Sequence, residues 1–312
     1  MALAASYRRR ASRMAAVPLA AWIVLFYGLQ QPRAADADRS TTLEDRSRAA
    51  WDLSRALAPA STALMRVHVG VADTGGVPAA AAARWTNAAE VPGNDLDDDK
   101  NRYVDDAYGL SALSGFGMPL DVADGAPDGR GARLADIAAT EGAGEVVIIP
   151  CKCLNADGRG FADECAECID YLVAMGADLV VAAWRGDVPG DDRGGVTASP
   201  LYRAVENAAG NGSANKSGAS VLAATYGQDR ALNLPVAAPS VLAVDTSDSR
   251  AVAWAANTAA LFLRTARALG SSPDADTVAA VMRLHLSEQA AARDPADVVY
   301  AALGYHLGAR AG

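Results

Sequence analysis

The sequence predicts an α/β domain in which helices cover both faces of a mostly parallel sheet. The chain has 312 residues, of which 51% are apolar, so it can bury one sizeable core. Short apolar segments typical of buried strands alternate along it with longer segments whose apolar residues recur at helical spacing. Such alternation is typical of parallel strands joined by helical crossovers, and it predicts three layers, α/β/α.

The predicted elements follow one another in a regular order. A short helical pattern at residues 51–57 precedes the first strand, at residues 67–71. Further strands are predicted at residues 145–150, 177–183, 220–224 and 240–244, and further helices at residues 162–175, 200–209, 251–269 and 273–286. Because ligand sites in parallel sheets lie at the carboxyl ends of the strands, Asp73, which follows the first strand, is a candidate functional residue.

Residues 1–37 are predicted to be a secretory signal peptide or an uncleaved signal anchor. Four arginines within residues 8–13 precede a continuous apolar run at residues 14–29. A mitochondrial presequence is the alternative, although such segments are amphipathic. Residues 38–60 are then a linker with a short helix, and residues 61–312 form the main domain. Two glycosylation sequons, at Asn211 and Asn215, agree with a protein of the secretory pathway that is secreted or membrane-anchored.

The charge of the chain argues against nucleic acid as a partner. The formal net charge is −9, and the first 35 residues contribute five arginines and no acidic residue, so the remainder carries −14. A surface this acidic repels nucleic acid and anionic lipid. We therefore expect contact with a membrane only through the N-terminal segment.

Three segments, taken in their order along the chain, resemble a known protease family. They are the strand that ends in Asp73-Thr74-Gly75, the insertion that runs from Trp85-Thr86-Asn87 through Pro92-Gly93-Asn94 to Tyr103-Val104-Asp105-Asp106, and the stretch at residues 147–186. Together they resemble the subtilisin-like serine proteases, or subtilases, over about residues 60–285. The resemblance implies a subtilisin-like three-layer α/β/α sandwich with a mostly parallel sheet.

The catalytic residues that this family requires are only partly present. A serine protease needs an aspartate to orient a histidine, the histidine to accept the serine proton, and a donor for the oxyanion. The resemblance assigns Asp73 to the aspartate and places Arg130 where the family has its histidine. Because a guanidinium has a pKa above about 12, Arg130 cannot accept a proton near neutral pH. The chain's three histidines, His68, His285 and His306, lie outside any matching motif.

The serine and oxyanion positions are altered as well. Ser249 aligns with the family's serine at the head of a long apolar helix, but Ser247 and Ser249 also suit a helix N-cap. Gln228 aligns with the family's oxyanion asparagine. Its amide could still donate, from a longer side chain.

These departures predict a pseudoprotease, a subtilisin-like peptidase domain that has lost serine endopeptidase activity. It would bind a peptide or protein along the residual substrate edge at residues 183–186, or serve a structural role. The alternative is an active subtilisin-like serine endopeptidase. We also expect Arg130 to pair with Asp73 within about 6 Å, because a partly buried carboxylate requires a cation.

The acidic insertion predicts a calcium site. The predicted ligands are oxygens at alternate positions of the insertion, namely Asp97, Asp99, Asn101, the Tyr103 carbonyl and Asp105. Arg102 occupies a position that is usually glycine in such loops and adds a repelling charge. A solvated acidic loop without a cation is the alternative.

The four cysteines form two pairs that can face each other. Cys151 and Cys153 lie two apart on a predicted strand, and Cys165 and Cys168 lie three apart on a predicted helix, so each pair shares a face. In a secretory protein this predicts two disulfides, with Cys151 to Cys168 and Cys153 to Cys165 as the preferred connectivity. A four-thiolate zinc site and redox catalysis are the alternatives.

Overall fold

The structure, a computed structural model, describes residues 42–57, 66–113, 126, 128–142, 144–184, 200–208, 220–225, 241–245, 248–286 and 295–310. The strands are β1 (Val67–Asp73), β2 (Leu110–Ser111), β3 (Val146–Lys152), β4 (Leu179–Ala182), β5 (Ser220–Thr225) and β6 (Val241–Asp245). The helices are α1 (Leu43–Leu57), α2 (Arg130–Ala139), α3 (Ala162–Ala174), α4 (Pro200–Ala208), α5 (Ser249–Ala268), α6 (Ala275–Leu286) and α7 (Ala296–Arg310).

The six strands of the described residues belong to one parallel sheet, in the order β2-β3-β1-β4-β5-β6. β3 is buried along its whole length and β1 along nearly all of it. Near-continuous apolar strands of this kind are typical of parallel sheets that are covered on both faces. The predicted parallel sheet is therefore confirmed, with β1 at its centre.

Alternate residues of β1 enter two separate cores, as the two-residue period of a strand requires. Val69 and Val71 pack in the core that includes buried residues of α1, α2, α5, α6 and α7. Ala72 packs in the opposite core, which includes buried residues of α3 and α4. Helices thus cover both faces of the sheet, and the predicted three-layer α/β/α sandwich is confirmed.

Helix α1 is longer than the sequence pattern predicted and is part of the packed domain. It begins at Leu43 because Thr42 and Asp45 form a reciprocal cap, in which the Thr42 hydroxyl accepts from the Asp45 amide at 3.1 Å and the Asp45 carboxylate accepts from the Thr42 amide at 3.1 Å. Its Trp51 is fully buried, and the Trp51 indole donates to Asn257 on α5 at 3.3 Å. The packed unit therefore starts before the predicted boundary at residue 61.

A buried arginine fastens α1 to α5. Arg264, on α5, is fully buried. Its Nε donates to Glu145 Oε1 at 2.7 Å, and its Nη1 donates to Ser54 Oγ on α1 at 2.8 Å. Because a buried guanidinium is costly unless it is paired and hydrogen-bonded, these contacts fix the position of α1 against the sheet. Neither this contact nor α7 and the short strand β2 was predicted from the sequence pattern.

Candidate functional site at the carboxyl edge of the sheet

The carboxyl end of β1 and the start of α2 approach each other so closely that only glycine fits at the contact. A Cβ atom on Gly131 would lie 1.9 Å from the Gly75 carbonyl oxygen, and one on Gly76, whose φ is 105°, would lie 2.4 Å from the Ala132 nitrogen. The Gly131 amide donates to Thr74 Oγ1 at 3.1 Å. The first turn of α2 is therefore held against the residues that follow Asp73.

This approach brings Arg130 and Asp73 together, as predicted. Arg130 Nη2 lies 3.1 Å from Asp73 Oδ2, and the Asp73 side chain is 1% exposed whereas that of Arg130 is 27% exposed. Asp73 Oδ1 accepts from the Thr74 amide at 2.9 Å. Arg130 Nη2 also donates to the Ala183 carbonyl at 2.5 Å. The guanidinium is thus fixed between the ends of β1 and β4.

No histidine takes the place of a general base beside Asp73. All three histidines belong to the described residues, and only His68 lies on β1, at the opposite end from Asp73. The two residues are five positions apart along the strand, which corresponds to about 16 Å. His306 contacts Ser271 at 2.9 Å, and His285 lies on α6. Burial lowers the pKa of His68, in agreement with its position inside the sheet.

A cleft of about 400 Å³ lies beside the ion pair, between the first turns of α2 and α5. It is lined by Asp128, Arg130, Arg133, Leu134, Asp248, Ser249 and Arg250. Two of the residues that the sequence analysis singled out, Arg130 and Ser249, are therefore brought to one cleft. Ser249 is the first residue of α5 but does not cap it, because the cap is Asp248, whose carboxylate accepts from the Arg250 amide at 3.0 Å.

The cleft lacks a group that could activate Ser249. Within the described part of the chain its hydroxyl has no side-chain hydrogen-bond partner, and the titratable groups of the lining are arginines and aspartates only. Asp128 is paired with Arg133 at 2.7 Å and Asp248 with Arg250 at 2.6 Å. A serine without a neighbouring base is a weak nucleophile.

Two of the four residues of the predicted substrate edge, 183 and 184, form hydrogen bonds within the domain. Residues 183 and 184 are described, and residues 185 and 186 lie outside the described part. The Ala183 carbonyl accepts from Arg130, and the Trp184 indole donates to the Ala72 carbonyl at 2.8 Å. The first contact ties the end of β4 to α2, and the second ties it to the end of β1.

A second site lies in the acidic insertion, where Glu90, Asp99 and Asp106 each place a carboxylate oxygen within 4.8 Å of the other two. Glu90 is 6% exposed and Asp106 is fully buried. Burial raises the pKa of Asp106, against hydrogen bonds from Asn87 and Asn101 that lower it. This buried acidic cluster could hold a metal ion.

The cluster differs from the ligand set that the spacing predicted. Of that set only Asp99 belongs to it, and Asn101 lies beside it, where its amide donates to Asp106 at 3.0 Å. Asp97 instead accepts from the backbone amides of residues 101 and 102, and Asp105 accepts from those of residues 93, 94 and 95. The backbone amide of Tyr103, whose carbonyl was the predicted ligand, donates to Asn101 Oδ1 at 2.7 Å.

The insertion is anchored to α3 by aromatic contacts. The ring of Tyr103 stands edge-on against that of Tyr171, with centroids 5.2 Å apart. Burial, together with Glu167, raises the pKa of Tyr103 to about 12. Burial and the nearby Asp106 also raise the pKa of Tyr171, so both phenols stay protonated at any physiological pH.

The predicted disulfides are confirmed in the preferred connectivity. Cys151 on β3 is bonded to Cys168 on α3, and Cys153 is bonded to Cys165 on the same helix. The chain has no free cysteine. Two disulfides fit an extracellular or secretory location.

Several sequence predictions fall outside the described residues. They concern Gln228, the sequons at Asn211 and Asn215, and the N-terminal segment at residues 1–37. Among the helices of the described part, none combines the length and apolar character that crossing a bilayer requires. No protein-family model matches this chain, and neither does any curated protein.

Replacing Arg130 by alanine should destabilise the fold by about 3 kcal/mol, because the change removes the guanidinium that pairs with the buried Asp73 carboxylate. Urea unfolding of the two proteins measures the difference. Arg133→Ala is the matched control, since its ion pair with Asp128 is exposed and should contribute less than about 1 kcal/mol. Adding Asp73→Asn to Arg130→Ala should recover part of the loss; equal stabilities of the Arg130→Ala protein and the unmodified protein would contradict a buried ion pair.

The disulfide connectivity can be tested by digestion without reduction. Trypsin cuts at Lys152 and so separates Cys151 from Cys153, and a glutamate-specific protease cuts at Glu167 and separates Cys165 from Cys168. Mass spectrometry after both digestions should show one linked peptide pair for Cys151 with Cys168 and one for Cys153 with Cys165. The crossed pairs, or four free thiols, would refute the assignment.

Proposed function

We propose that this protein is a catalytically inactive homologue of the subtilisin-like serine proteases, which binds a peptide or protein without cleaving it. The observation that carries the proposal is the ion pair between Arg130 and Asp73. The motif resemblance assigns Asp73 the task of orienting a histidine. Here the carboxylate is occupied by a guanidinium, which cannot accept a proton near neutral pH.

The surroundings of the ion pair support loss of catalysis on separate grounds. Arg130 is held in place by the Ala183 carbonyl as well as by Asp73, so thermal motion of the side chain would have to break two contacts to open the position. Ser249 has no base within the lining of the cleft. Either defect alone would remove most of the rate enhancement, because the catalytic residues act as a unit.

Binding is favoured over a purely structural role because the cleft stays open beside the ion pair. A volume of about 400 Å³ lies within the range of small ligand sites. It sits at the carboxyl edge of a parallel sheet, where such folds bind their ligands. We further propose that residues 1–37 direct the protein into the secretory pathway as a signal peptide or anchor, which agrees with the two disulfides.

The purified protein should not hydrolyse a fluorogenic peptide mixture or casein, nor react with a fluorophosphonate probe, under conditions in which an equal amount of an active subtilisin does both. Arg130→His should remain inactive, because the serine motif of the family is also absent from the chain. Peptide hydrolysis that Asp73→Ala abolishes would instead establish the alternative, an active serine endopeptidase.

We also propose that the acidic cluster of Glu90, Asp99 and Asp106 binds calcium. Every donor that the structure gives these carboxylates is a neutral amide, and among the described residues none of the three forms an ion pair with an arginine or lysine. Buried carboxylates repel one another unless a cation compensates them. Carboxylate oxygens are the ligands that calcium prefers.

Millimolar calcium should raise the melting temperature, by about 5 °C or more at one hundred times the dissociation constant. Asp106→Asn should abolish the shift because it removes a ligand of the cluster. Asp97→Asn should keep it, since Asp97 accepts only backbone amides outside the cluster. An unchanged melting temperature of the unmodified protein excludes the calcium site, and loss of the shift in Asp97→Asn alone would favour ligands at alternate positions of the insertion.

A further inference from the structure

We propose that the cleft between α2 and α5 is a receptor for a peptide carboxylate, which it holds with Arg130, Arg133 and Arg250. This inference rests on the proposed function, because it specifies which chemical group of a bound peptide enters the cleft. Its basis is the chemistry of the lining, which supplies many more hydrogen-bond donors than acceptors.

The excess of donors is seen when the hydrogen-bonding groups of the residues that line the cleft are counted. Three guanidiniums bring five N–H donors each. Arg130 uses Nη2, Arg133 uses Nη2, and Arg250 uses Nε and Nη2 in contacts with protein acceptors. Within the described part of the chain, Nη1 of all three arginines makes no hydrogen bond, and Ser249 contributes a hydroxyl. A ligand that fits this lining must supply acceptors.

Two of the arginines are free to exchange partners at little cost. The pair Arg133–Asp128 has side chains 50% and 66% exposed, and the pair Arg250–Asp248 has side chains 63% and 44% exposed. Exposed pairs of this kind contribute little stability because water screens them. A ligand carboxylate can therefore share or replace Asp128 and Asp248, whereas Arg130 stays fixed by the buried Asp73.

The helices that border the cleft favour negative charge. Both α2, with ten residues, and α5, with twenty, begin in its lining, so the positive ends of two helix dipoles point toward it. The N-cap of α2 is Gly129, which provides no side-chain acceptor. The two dipoles add to the guanidiniums, and neither terminus alone would constitute a site.

The charges in and beside the cleft favour a ligand with a single carboxylate over a polyanion. Arg130, Arg133 and Arg250 are matched in number by Asp73, Asp128 and Asp248. One added negative charge can be compensated by the dipoles and by reorientation of the exposed arginines, but the aspartates would repel a chain of phosphates, as would the net charge of −9. Planar guanidiniums bind carboxylates through two parallel hydrogen bonds.

Three fluorescein-labelled octapeptides of otherwise identical sequence test the proposal by fluorescence anisotropy. The first carries one internal glutamate and an amidated C-terminus, the second carries glutamine and a free C-terminus, and the third carries glutamine and an amidated C-terminus. The first or the second should bind at least tenfold more tightly than the third, and added salt should weaken that binding. The first two peptides distinguish a side-chain carboxylate from a terminal one.

Arg133→Gln and Arg250→Gln should each weaken binding of the preferred peptide by about tenfold, because each removes charge-assisted hydrogen bonds. Arg48→Gln is the matched control: Arg48 is an exposed, paired arginine on α1 that does not line the cleft, so affinity should be unchanged. Equal binding of all three peptides, or unchanged affinity in both cleft variants, overturns the carboxylate site and leaves peptide binding intact. Failure of all three peptides to bind overturns both proposals.

Discussion

Burial of the Asp73 carboxylate is the constraint on which the candidate site depends. The side chain is 1% exposed at the end of the central strand, and a charge in such a position requires a cation and hydrogen bonds. The Thr74 amide and Arg130 provide them, and the backbone oxygen of Asp73 accepts from the amides of Cys153 and Leu154. One residue thus connects β1, α2 and the segment after β3, so the geometry of the cleft is set by how Asp73 is neutralised.

If the proposed relationship to subtilases holds, the same constraint would explain how the edge of the sheet keeps its structure without a catalytic histidine. In the proposed relationship to subtilases, exchanging histidine for arginine removes the base but supplies a permanent positive charge to the buried aspartate. The position therefore remains electrostatically satisfied, and the surrounding fold has no reason to rearrange. In that proposed relationship, the arginine would give the cleft hydrogen-bond donors for an anion, whereas a histidine would transfer a proton.

The disulfides and an aromatic contact join β3, α3 and the acidic insertion to one another. Cys151 and Cys153 attach β3 to α3, and Tyr171 on that helix packs against Tyr103 of the insertion. A cation at Glu90, Asp99 and Asp106 would therefore act on a surface already joined covalently to the sheet. Such a cation would stabilise the insertion. The cleft is formed by the first turns of α2 and α5, which are separate elements, so the cation would not contact it.

The sequence by itself determined the features that follow from short periods and ordered motifs. A period of two on β3 and a spacing of three on α3 placed the cysteines face to face, and the motif order placed Arg130 beside Asp73. Which carboxylates form the acidic cluster could be found only from the tertiary structure. Asp95, Lys100, Arg102 and Asp105 adopt positive φ, so the backbone of the insertion turns at several positions and brings together carboxylates that do not alternate along the sequence. Backbone amides donate to the carboxylates of Asp97 and Asp105. Glu90 and Asp106 are sixteen residues apart in the sequence, and both are buried in the cluster.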